Sequence, residues 1–436
     1  MKKKPFIALA ASAAMAAGLL AGCGGTGKTA QESSGAASAE TPAAEAADGE
    51  AQTLTLWLPP FAGTDGEITD LDFWTEKAAA FEAENNCKVS IEITPWDGYE
   101  EKYLTGSTSD DGPDVGYLYM EMFYDYINNG MIADVDSYFT DEEKANYKYY
   151  SLGNIQGGQY GLPFVVGNPR VLIANMDILG EAGIDKVPAT WEELETVGKA
   201  ILEKCDGVSP LMQDWGNPHY GSLNEIYWPF FWGAGASIVD EEGNLTIDTK
   251  EGLEATEYLM KLKEEGIIPA SATSNDDSLT SFKNGEAAMI YCATSNALKI
   301  DGVNWDYAPV IKGPAGDQSK TFVAADCLVM FEKCQNKELA AKLMKYLSSA
   351  EVMADFHKRV SQQPAITEDD SYTGENNKFD DMFANYSDNM QSLPVFANAS
   401  GMYDSLFKNL QSMMLGEMEP AAVLSETTTY YNENLK

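Results

Sequence analysis

The chain has 436 residues and a formal net charge of −39, from 68 acidic and 29 basic residues. This surplus of negative charge repels phosphate backbones and anionic lipid, which excludes nucleic acid as a partner and direct adhesion to acidic membranes. Hydrophobic residues make up 44% of the chain, enough for real cores, and the length favours more than one folded unit.

The N-terminus has the pattern of an export signal. Three lysines follow Met1, an apolar run extends over residues 6–20, and small residues lead to Cys23. The run, about 15 residues, is shorter than the roughly 20 that span a bilayer, which favours a cleaved signal over 1–22 rather than a transmembrane anchor. The tetrapeptide LAGC ending at Cys23 resembles the bacterial lipobox, which implies that Cys23 becomes the first mature residue and carries lipid.

Residues 23–52 are interpreted as a flexible tether. They are mostly Ala, Gly, Ser, Thr, Glu and Gln without an aromatic residue, and such a segment cannot offset its ordering entropy by burial. A disordered tail without a role would have the same composition, so the tether interpretation depends on the anchor before it.

The cysteines and histidines argue against a metal site and against any cofactor. The five cysteines after Cys23 form no CxxC pair, and the chain has only two histidines. An odd number of cysteines also fits poorly with an obligatory disulfide framework, so most of them are expected to be small core residues.

Along the folded part, strands alternate with helices, which predicts an α/β fold. Strands are predicted over 53–58, 88–93, 114–118, 170–175, 287–292, 307–310 and 323–330. Helices are predicted over 73–85, 99–104, 122–129, 224–231, 250–265, 336–348 and 402–415. A further helix opens at Thr190, where Glu193 completes a capping box.

Six short motifs follow one another along residues 54–343: LTLW at 54–57, GPDV at 112–115, GLPF at 161–164, PATWEEL at 188–194, FKNGEAAM at 282–289 and KELAAKL at 337–343. Their order and spacing resemble the extracellular solute-binding proteins of ABC importers, in the carbohydrate-type family typified by maltose-binding protein. The C-terminal hundred residues match this family only in general helical character.

The resemblance implies a type II periplasmic-binding-protein-like fold, with a ligand cleft between two α/β lobes that close by hinge motion. Lobe 1 would comprise 53–163 and 321–385, and lobe 2 would comprise 164–320 and 386–436. Residues 161–164 and 320–325 would be hinge strands.

Candidate ligand contacts in lobe 1 lie at strand ends, where open α/β sheets present their ligand crevice. Trp57 ends the first strand and would stack on a sugar ring, unless it is a core residue. Tyr119 and Glu121 are predicted at the end of the third strand, where family cleft residues lie. Glu121 would accept hydroxyl hydrogen bonds, and the alternative is a solvated surface carboxylate.

Candidate contacts in lobe 2 are mostly aromatic. Glu225, Trp228 and Trp232 are three and four residues apart, which predicts a shared helix face in a region where the family places ligand contacts. A helix buried in the core is the alternative for some of these aromatics. The family resemblance adds Tyr291 at a strand end, and Phe396 and Tyr403 before or at the start of a late helix.

Arg170 follows the first hinge segment. It would bind a carboxylate or hydroxyls of the ligand, or pair with a structural Asp, since arginine forms strong bidentate hydrogen bonds with carboxylates.

The sequence therefore predicts a binding protein and not an enzyme. It would capture a sugar or oligosaccharide by lobe closure and deliver it to the membrane permease of an ABC importer, as a monomer anchored by lipid on the extracellular face of the bacterial cell membrane. One alternative is a surface glycan-active enzyme, although no GxSxG, HExxH or Walker A motif is present. The other is a sensory solute binder that reports to a kinase.

Overall fold

A computed structural model describes residues 52–61, 68–360, 366–367 and 378–436. Residues Ala51–Lys436 form one compact unit. The predicted signal over 1–22, the lipidation site Cys23 and the tether up to residue 51 lie outside the described residues. Gln52, predicted as the last tether residue, begins the first strand.

The strands of the described residues are short and are numbered β1 to β13 along the chain. In order, they are Gln52–Leu58, Cys87–Ile93, Val115–Leu118, Asn154–Ile155, Gly158–Gln159, Leu162–Gly167, Arg170–Asn175, Ser209–Leu211, Ala287–Ala293, Trp305–Ala308, Thr321–Phe322, Ala324–Met330 and Met390–Gln391.

The α-helices of the described residues are numbered α1 to α16 in the same way. They are Asp70–Asn85, Tyr99–Ser107, Met120–Asn128, Asp141–Ala145, Met176–Glu181, Trp191–Lys204, Leu223–Ile226, Trp228–Gly233, Lys250–Glu264, Ser278–Lys283, Thr294–Ala297, Lys337–Leu347, Ala350–Val360, Asp380–Tyr386, Ala399–Leu415 and Pro420–Asn434.

Two separate sheets organise the unit. The first has the order β2-β1-β3-β12-β6, in which β1, β2 and β3 are parallel and β12 is antiparallel to both β3 and β6. The second has the order β10-β7-β9-β8, in which only β8 and β9 are parallel. The predicted two-lobed α/β fold is confirmed, and we refer to the parts built on these sheets as lobe 1 and lobe 2.

The first connection between the lobes lies just after β6. Because all of β6 belongs to the sheet of lobe 1, the predicted division between residues 163 and 164 falls inside a strand. Gly167 and Asn168 then take φ angles of 127° and 51°, and β7 begins in the sheet of lobe 2 at Arg170. Since these left-handed angles suit glycine and asparagine best, we propose that the first crossover lies at 167–169.

The second connection runs through β11, which pairs with β13 before β12 enters the sheet of lobe 1. The hydroxyl of Thr321 on β11 donates to the carbonyl oxygen of Arg170 at 2.5 Å, so the two connections are in contact. Phe379, which was predicted in lobe 1, packs against Tyr307 on β10 of lobe 2 with ring centroids 4.6 Å apart.

The GPDV motif at 112–115 leads into β3 and holds it beside β1 through hydrogen bonds. A Cβ atom at Gly112 would lie 1.8 Å from the carbonyl oxygen of Gly106, so only glycine fits there. Asp114 accepts a hydrogen bond from the backbone N–H of Thr55 at 2.8 Å and donates its own N–H to the carbonyl oxygen of Thr55 at 2.9 Å. The motif is therefore structural.

The five cysteines of the described residues are free and buried, which confirms that they are core residues: Cys87, Cys205, Cys292, Cys327 and Cys334. Within the part of the chain that the structure describes, no helix has both the length and the apolar character to cross a membrane.

Candidate functional site

The carboxyl end of β3 carries two of the predicted contacts. Tyr119 is the N-cap residue of α3, with extended backbone, and Glu121 lies in the first turn of that helix rather than at the strand end as predicted. Both side chains are buried, with 9% exposed at Tyr119 and 7% at Glu121. An acidic residue is favourable in a first helical turn because the helix dipole is positive there.

Glu121 is a buried acid that forms no ion pair with the described residues. Burial and the nearby carboxyls of Asp326 and Glu100 raise its pKa to about 8. Within the described ranges, no Lys, Arg or His forms an ion pair with Glu121. A carboxyl in this setting keeps its proton at neutral pH until something stabilises its ionised form.

Asp326 reaches the same region from β12. The register of β12 against β6 shifts between Asp326 and Cys327, and such bulges redirect side chains next to functional sites. One carboxyl oxygen of Asp326 accepts a hydrogen bond from the Tyr117 hydroxyl at 2.5 Å. Burial raises the pKa of Asp326 to about 7, although Tyr117 and Arg170 act in the opposite direction.

Glu100 on α2 bridges the two lobes. It accepts a hydrogen bond from the hydroxyl of Tyr220 at 2.5 Å, and the Nε2 atom of His219 lies 3.4 Å from the same carboxyl oxygen, Oε1. Burial acts to raise the pKa of Glu100, but the interactions with His219, Tyr119 and Tyr220 outweigh it and hold the pKa at about 2. Glu100 is therefore ionised across the physiological range.

Two tyrosine hydroxyls lie near Glu121, those of Tyr119 and Tyr403. Tyr119 interacts with Glu100, whereas the Tyr403 hydroxyl has no hydrogen-bond partner among the described residues. Burial, with the charge of Glu121, raises the pKa of Tyr403 well above its usual range. Burial also raises the pKa of Tyr119, together with Tyr220 and the charges of Glu100 and Glu121. An unpaired buried hydroxyl costs about 1–3 kcal/mol, so such groups point to a ligand that pairs with them.

The aromatic segment of lobe 2 packs onto Tyr403. The single helix predicted over 224–231 is in fact two short helices, α7 and α8, which meet at Tyr227. Trp228 stacks on Trp232 at 5.9 Å and meets the Tyr403 ring edge-on at 5.5 Å. Phe396 contacts the same tyrosine ring at 5.8 Å.

Arg170 and Glu225 form an ion pair beside the crossover, with 3.1 Å between Nε and Oε1. The side chains are 17% and 24% exposed. The guanidinium also lies 4.9 Å from the ring centroid of Phe322 and donates to the carbonyl oxygen of Asn168 at 2.7 Å. Burial raises the pKa of Glu225 despite the opposing charge of Arg170.

Two predicted contacts have their described neighbours in the lobe cores. Trp57 is 5% exposed and meets Tyr103 edge-on at 5.4 Å, and Tyr103 donates its hydroxyl hydrogen to the Trp57 carbonyl oxygen. Tyr291 packs edge-on against Phe230 at 5.7 Å. A ligand contact remains a prediction for both residues.

We refer to the groups that meet between the lobes as the cleft cluster. Its members are Glu100, Tyr119, Glu121 and Asp326 from lobe 1, His219, Tyr220 and Trp228 from lobe 2, and Tyr403 on α15. In the described part of the chain, no group of three or more His, Cys, Asp or Glu side chains has the arrangement of a metal site.

Five residues at or beside the cleft cluster were not predicted: Trp96, Glu100, His219, Tyr220 and Asp326. Trp96 is 41% exposed, and its ring lies 6.4 Å from that of Tyr119, so it offers an accessible aromatic face. Asp326 could have been found, since it is a lone acid in an apolar strand. Glu100 gave no signal, because it is one of two consecutive acids in an ordinary helical turn.

Glutamine at position 121 is expected to flatten the dependence of stability on pH. Between the ordinary carboxyl pKa of 4.5 and about 8, the folded protein keeps a proton that the unfolded chain has released. Stability therefore falls as pH rises through this window. Urea unfolding at pH 5, 6.5 and 8 measures this fall in the free energy of unfolding. From pH 5 to pH 8, the fall should be smaller in Glu121→Gln than in the unmodified protein, by about 1 kcal/mol or more.

The control for this prediction is Glu101→Gln, which alters an exposed carboxyl on α2 and should leave the slope unchanged. An unchanged slope in Glu121→Gln would show that Glu121 ionises normally in the folded protein.

Comparison with known proteins adds the family context. The family model described as bacterial extracellular solute-binding protein matches residues 65–354. A putative binding protein of Brucella abortus (strain 2308) is 27% identical over 377 residues, which cover 84% of this chain and 90% of that protein. A maltooligosaccharide ABC transporter solute-binding lipoprotein of Streptococcus pneumoniae (strain R6) is 22% identical over 83% of this chain and 85% of its own length.

Among solved structures, an ABC substrate-binding protein from Listeria monocytogenes in complex with cycloalternan superimposes with a TM-score of 0.75. It is 20% identical and covers 88% of this chain and 99% of its own. At this identity, the likeness establishes a shared fold.

Proposed function

The chain belongs to the bacterial extracellular solute-binding protein family, and from this premise we propose that it is the lipid-anchored sugar-binding component of an ABC importer. The observation that carries the proposal is the cleft cluster, in which the buried hydroxyl of Tyr403 has no partner in the described part of the chain and its ring packs against Trp228. The names of relatives support it, since the pneumococcal protein is described as a maltooligosaccharide-binding lipoprotein of an ABC transporter.

The chemistry of the cleft cluster suits a sugar. An exposed aromatic face such as that of Trp96 stacks on the apolar face of a sugar ring, while carboxyl and hydroxyl groups pair with sugar hydroxyls. These hydrogen bonds strengthen when the lobes close and water leaves.

The position of the cleft cluster between the lobes supports closure of the lobes around the ligand. A ligand that touches both lobes binds the closed form better than the open one, and so shifts the population toward closure. The left-handed residues Gly167 and Asn168 are the proposed hinge, and the closed form would be delivered to the permease.

A glycan panel tests this function. The full chain, held in a detergent without a sugar headgroup, is screened by thermal shift and then by isothermal titration calorimetry against mono- and oligosaccharides. At least one glycan should raise the melting temperature and bind with a stoichiometry near one, because a ligand selective for the folded state stabilises it. A response confined to peptides, polyamines or phosphorylated polyols would overturn the sugar assignment.

The lipid anchor is tested separately at Cys23. A Cys23→Ser variant should be lost from the membrane fraction, since the residue that accepts lipid is gone, while its ligand affinity stays the same. A Cys23→Ser protein that stays in the membrane fraction would show that another segment holds it there.

A further inference from the structure

The carboxyl groups of the cleft cluster outnumber the cations that face them. Asp326 lies beside the end of β3, where Cys327 pairs with Leu118, and Glu121 follows in the first turn of α3. The charges of Asp326 and Glu100 both act on Glu121. The positive charge of Arg170 is directed at Glu225, 3.1 Å away, and the imidazole of His219 is directed at Glu100. No positive group of the described residues is left to pair with Glu121.

The surroundings of Glu121 offer hydrogen-bond acceptors as well as negative charge. The groups that face it are the carboxyls of Asp326 and Glu100 and the hydroxyls of Tyr119, Tyr220 and Tyr403. Tyr220 already donates to Glu100 and Tyr119 interacts with the same carboxyl, whereas the hydroxyl of Tyr403, which is fully buried, has no partner in the described part of the chain. This orphaned hydroxyl is evidence of a ligand site that is independent of the acidic residues.

We propose that the sugar bound in this cleft carries a positively charged amino group, which pairs with Glu121 and with the hydroxyl oxygens of Tyr119 and Tyr403. The inference rests on the sugar-binding function proposed above and specifies the charge class of the sugar.

An ammonium group fits this position better than a neutral hydroxyl does. It carries three N–H donors and no acceptor, which matches a carboxylate with two tyrosine oxygens around it. An ionised Glu121 close to two other acids is unfavourable without a counter-charge, because burial removes the solvation of each charge. A ligand cation supplies that counter-charge, whereas a neutral sugar leaves Glu121 protonated.

The test uses sugars that share one skeleton and differ only at the 2-position. Deacetylated chitobiose, N,N′-diacetylchitobiose and cellobiose carry an amine, an acetamide and a hydroxyl there, and glucosamine, N-acetylglucosamine and glucose form the matching monosaccharide set. Calorimetry of the full chain at pH 6.5, where primary sugar amines are protonated, compares the affinities. The amine form of at least one set should bind about tenfold or more tightly than both neutral forms, a difference of about 1.4 kcal/mol.

Proton release provides a second readout. Pairing with an ammonium group makes Glu121 give up its proton, so titrations in two buffers of different ionisation enthalpy should show protons leaving the complex. The Glu121→Gln variant should lose both the preference for the amine and the proton release, and Glu101→Gln should keep both.

The outcomes separate this inference from the function that it specifies. If the neutral members, or neutral glycans of the wider panel, bind as tightly as the amines or more tightly, the charge class is wrong and sugar binding stands. If Glu121→Gln weakens amine and neutral forms equally, Glu121 serves hydroxyls and the inference fails. If no glycan binds at all, the sugar-binding function fails together with the inference.

Discussion

Replacing Arg170 with methionine should lower the free energy of unfolding by about 2 kcal/mol at pH 7.5, because it leaves the partly buried carboxylate of Glu225 without its partner. The substitution also removes the contact of the guanidinium with the Phe322 ring and its hydrogen bond to the Asn168 carbonyl at the crossover. Urea unfolding followed by circular dichroism measures the loss.

The decisive control is the double variant Arg170→Met with Glu225→Gln. It no longer contains an unpaired buried charge, so it should recover most of the lost stability, as replaced buried ion pairs commonly do. At pH 5 the single variant should also recover, since burial already raises the pKa of Glu225 and loss of Arg170 raises it further. A double variant less stable than the single one would show that the residues act independently of their pairing.

The local sequence pattern predicted most of the strands and helices in the two lobes. Alternating apolar residues gave β1 and β2, and the N-cap at Thr190 marked the start of α6, where the Thr190 hydroxyl accepts from the N–H of Glu193 at 3.1 Å. The Glu193 carboxylate accepts from the N–H of Ala189 and does not complete the predicted capping box. The predicted boundary between the lobes falls inside β6, because this strand remains apolar through Gly167 and its sequence does not indicate where it leaves the sheet. What ends this strand is a pair of left-handed backbone angles, which periodicity does not record.

The cleft cluster was predicted only in part, and for a clear reason. Tyr119 and Glu121 follow a strand end, and Trp228 belongs to an aromatic-rich segment, so local sequence indicates them. Glu100 meets Tyr220 across 120 positions of sequence, and this contact depends on how the lobes face each other. Asp326 owes its direction to a register shift, which strand alternation cannot reveal.

Trp57 shows what a strand-end position leaves open. Its place at the end of the first strand suggested the cleft, yet α2 covers its ring so closely that a Cβ atom at Gly106 would lie 2.6 Å from it. Trp96, in the loop before the same helix, has an exposed ring. Strand-end position therefore locates the cleft edge, while the packing of the next helix decides which aromatic side chain is accessible.

The Trp228→Ala substitution is expected to lower both stability and ligand affinity, and to have the largest combined effect of the single substitutions. Trp228 is 1% exposed and contacts both Trp232 and Tyr403, so its removal should cost about 3 kcal/mol or more of stability. It also removes the ring on which the Tyr403 side chain rests beside Glu121. The affinity for the glycan identified in the panel should fall by about tenfold or more, in line with aromatic contacts to ligands.

A matched buried tryptophan separates the two effects. Trp215 is also 1% exposed in lobe 2, but its ring stacks on Phe407 and its Nε1 atom donates to Gln213. Trp215→Ala should lose comparable stability and keep the ligand affinity, as measured by calorimetry at a temperature where both variants are folded. Trp228→Phe, which keeps an aromatic ring, provides a folded alternative if Trp228→Ala does not fold. Equal affinities in Trp228→Phe and the unmodified protein, or an equal loss in Trp215→Ala, would make Trp228 a core residue without a role in binding.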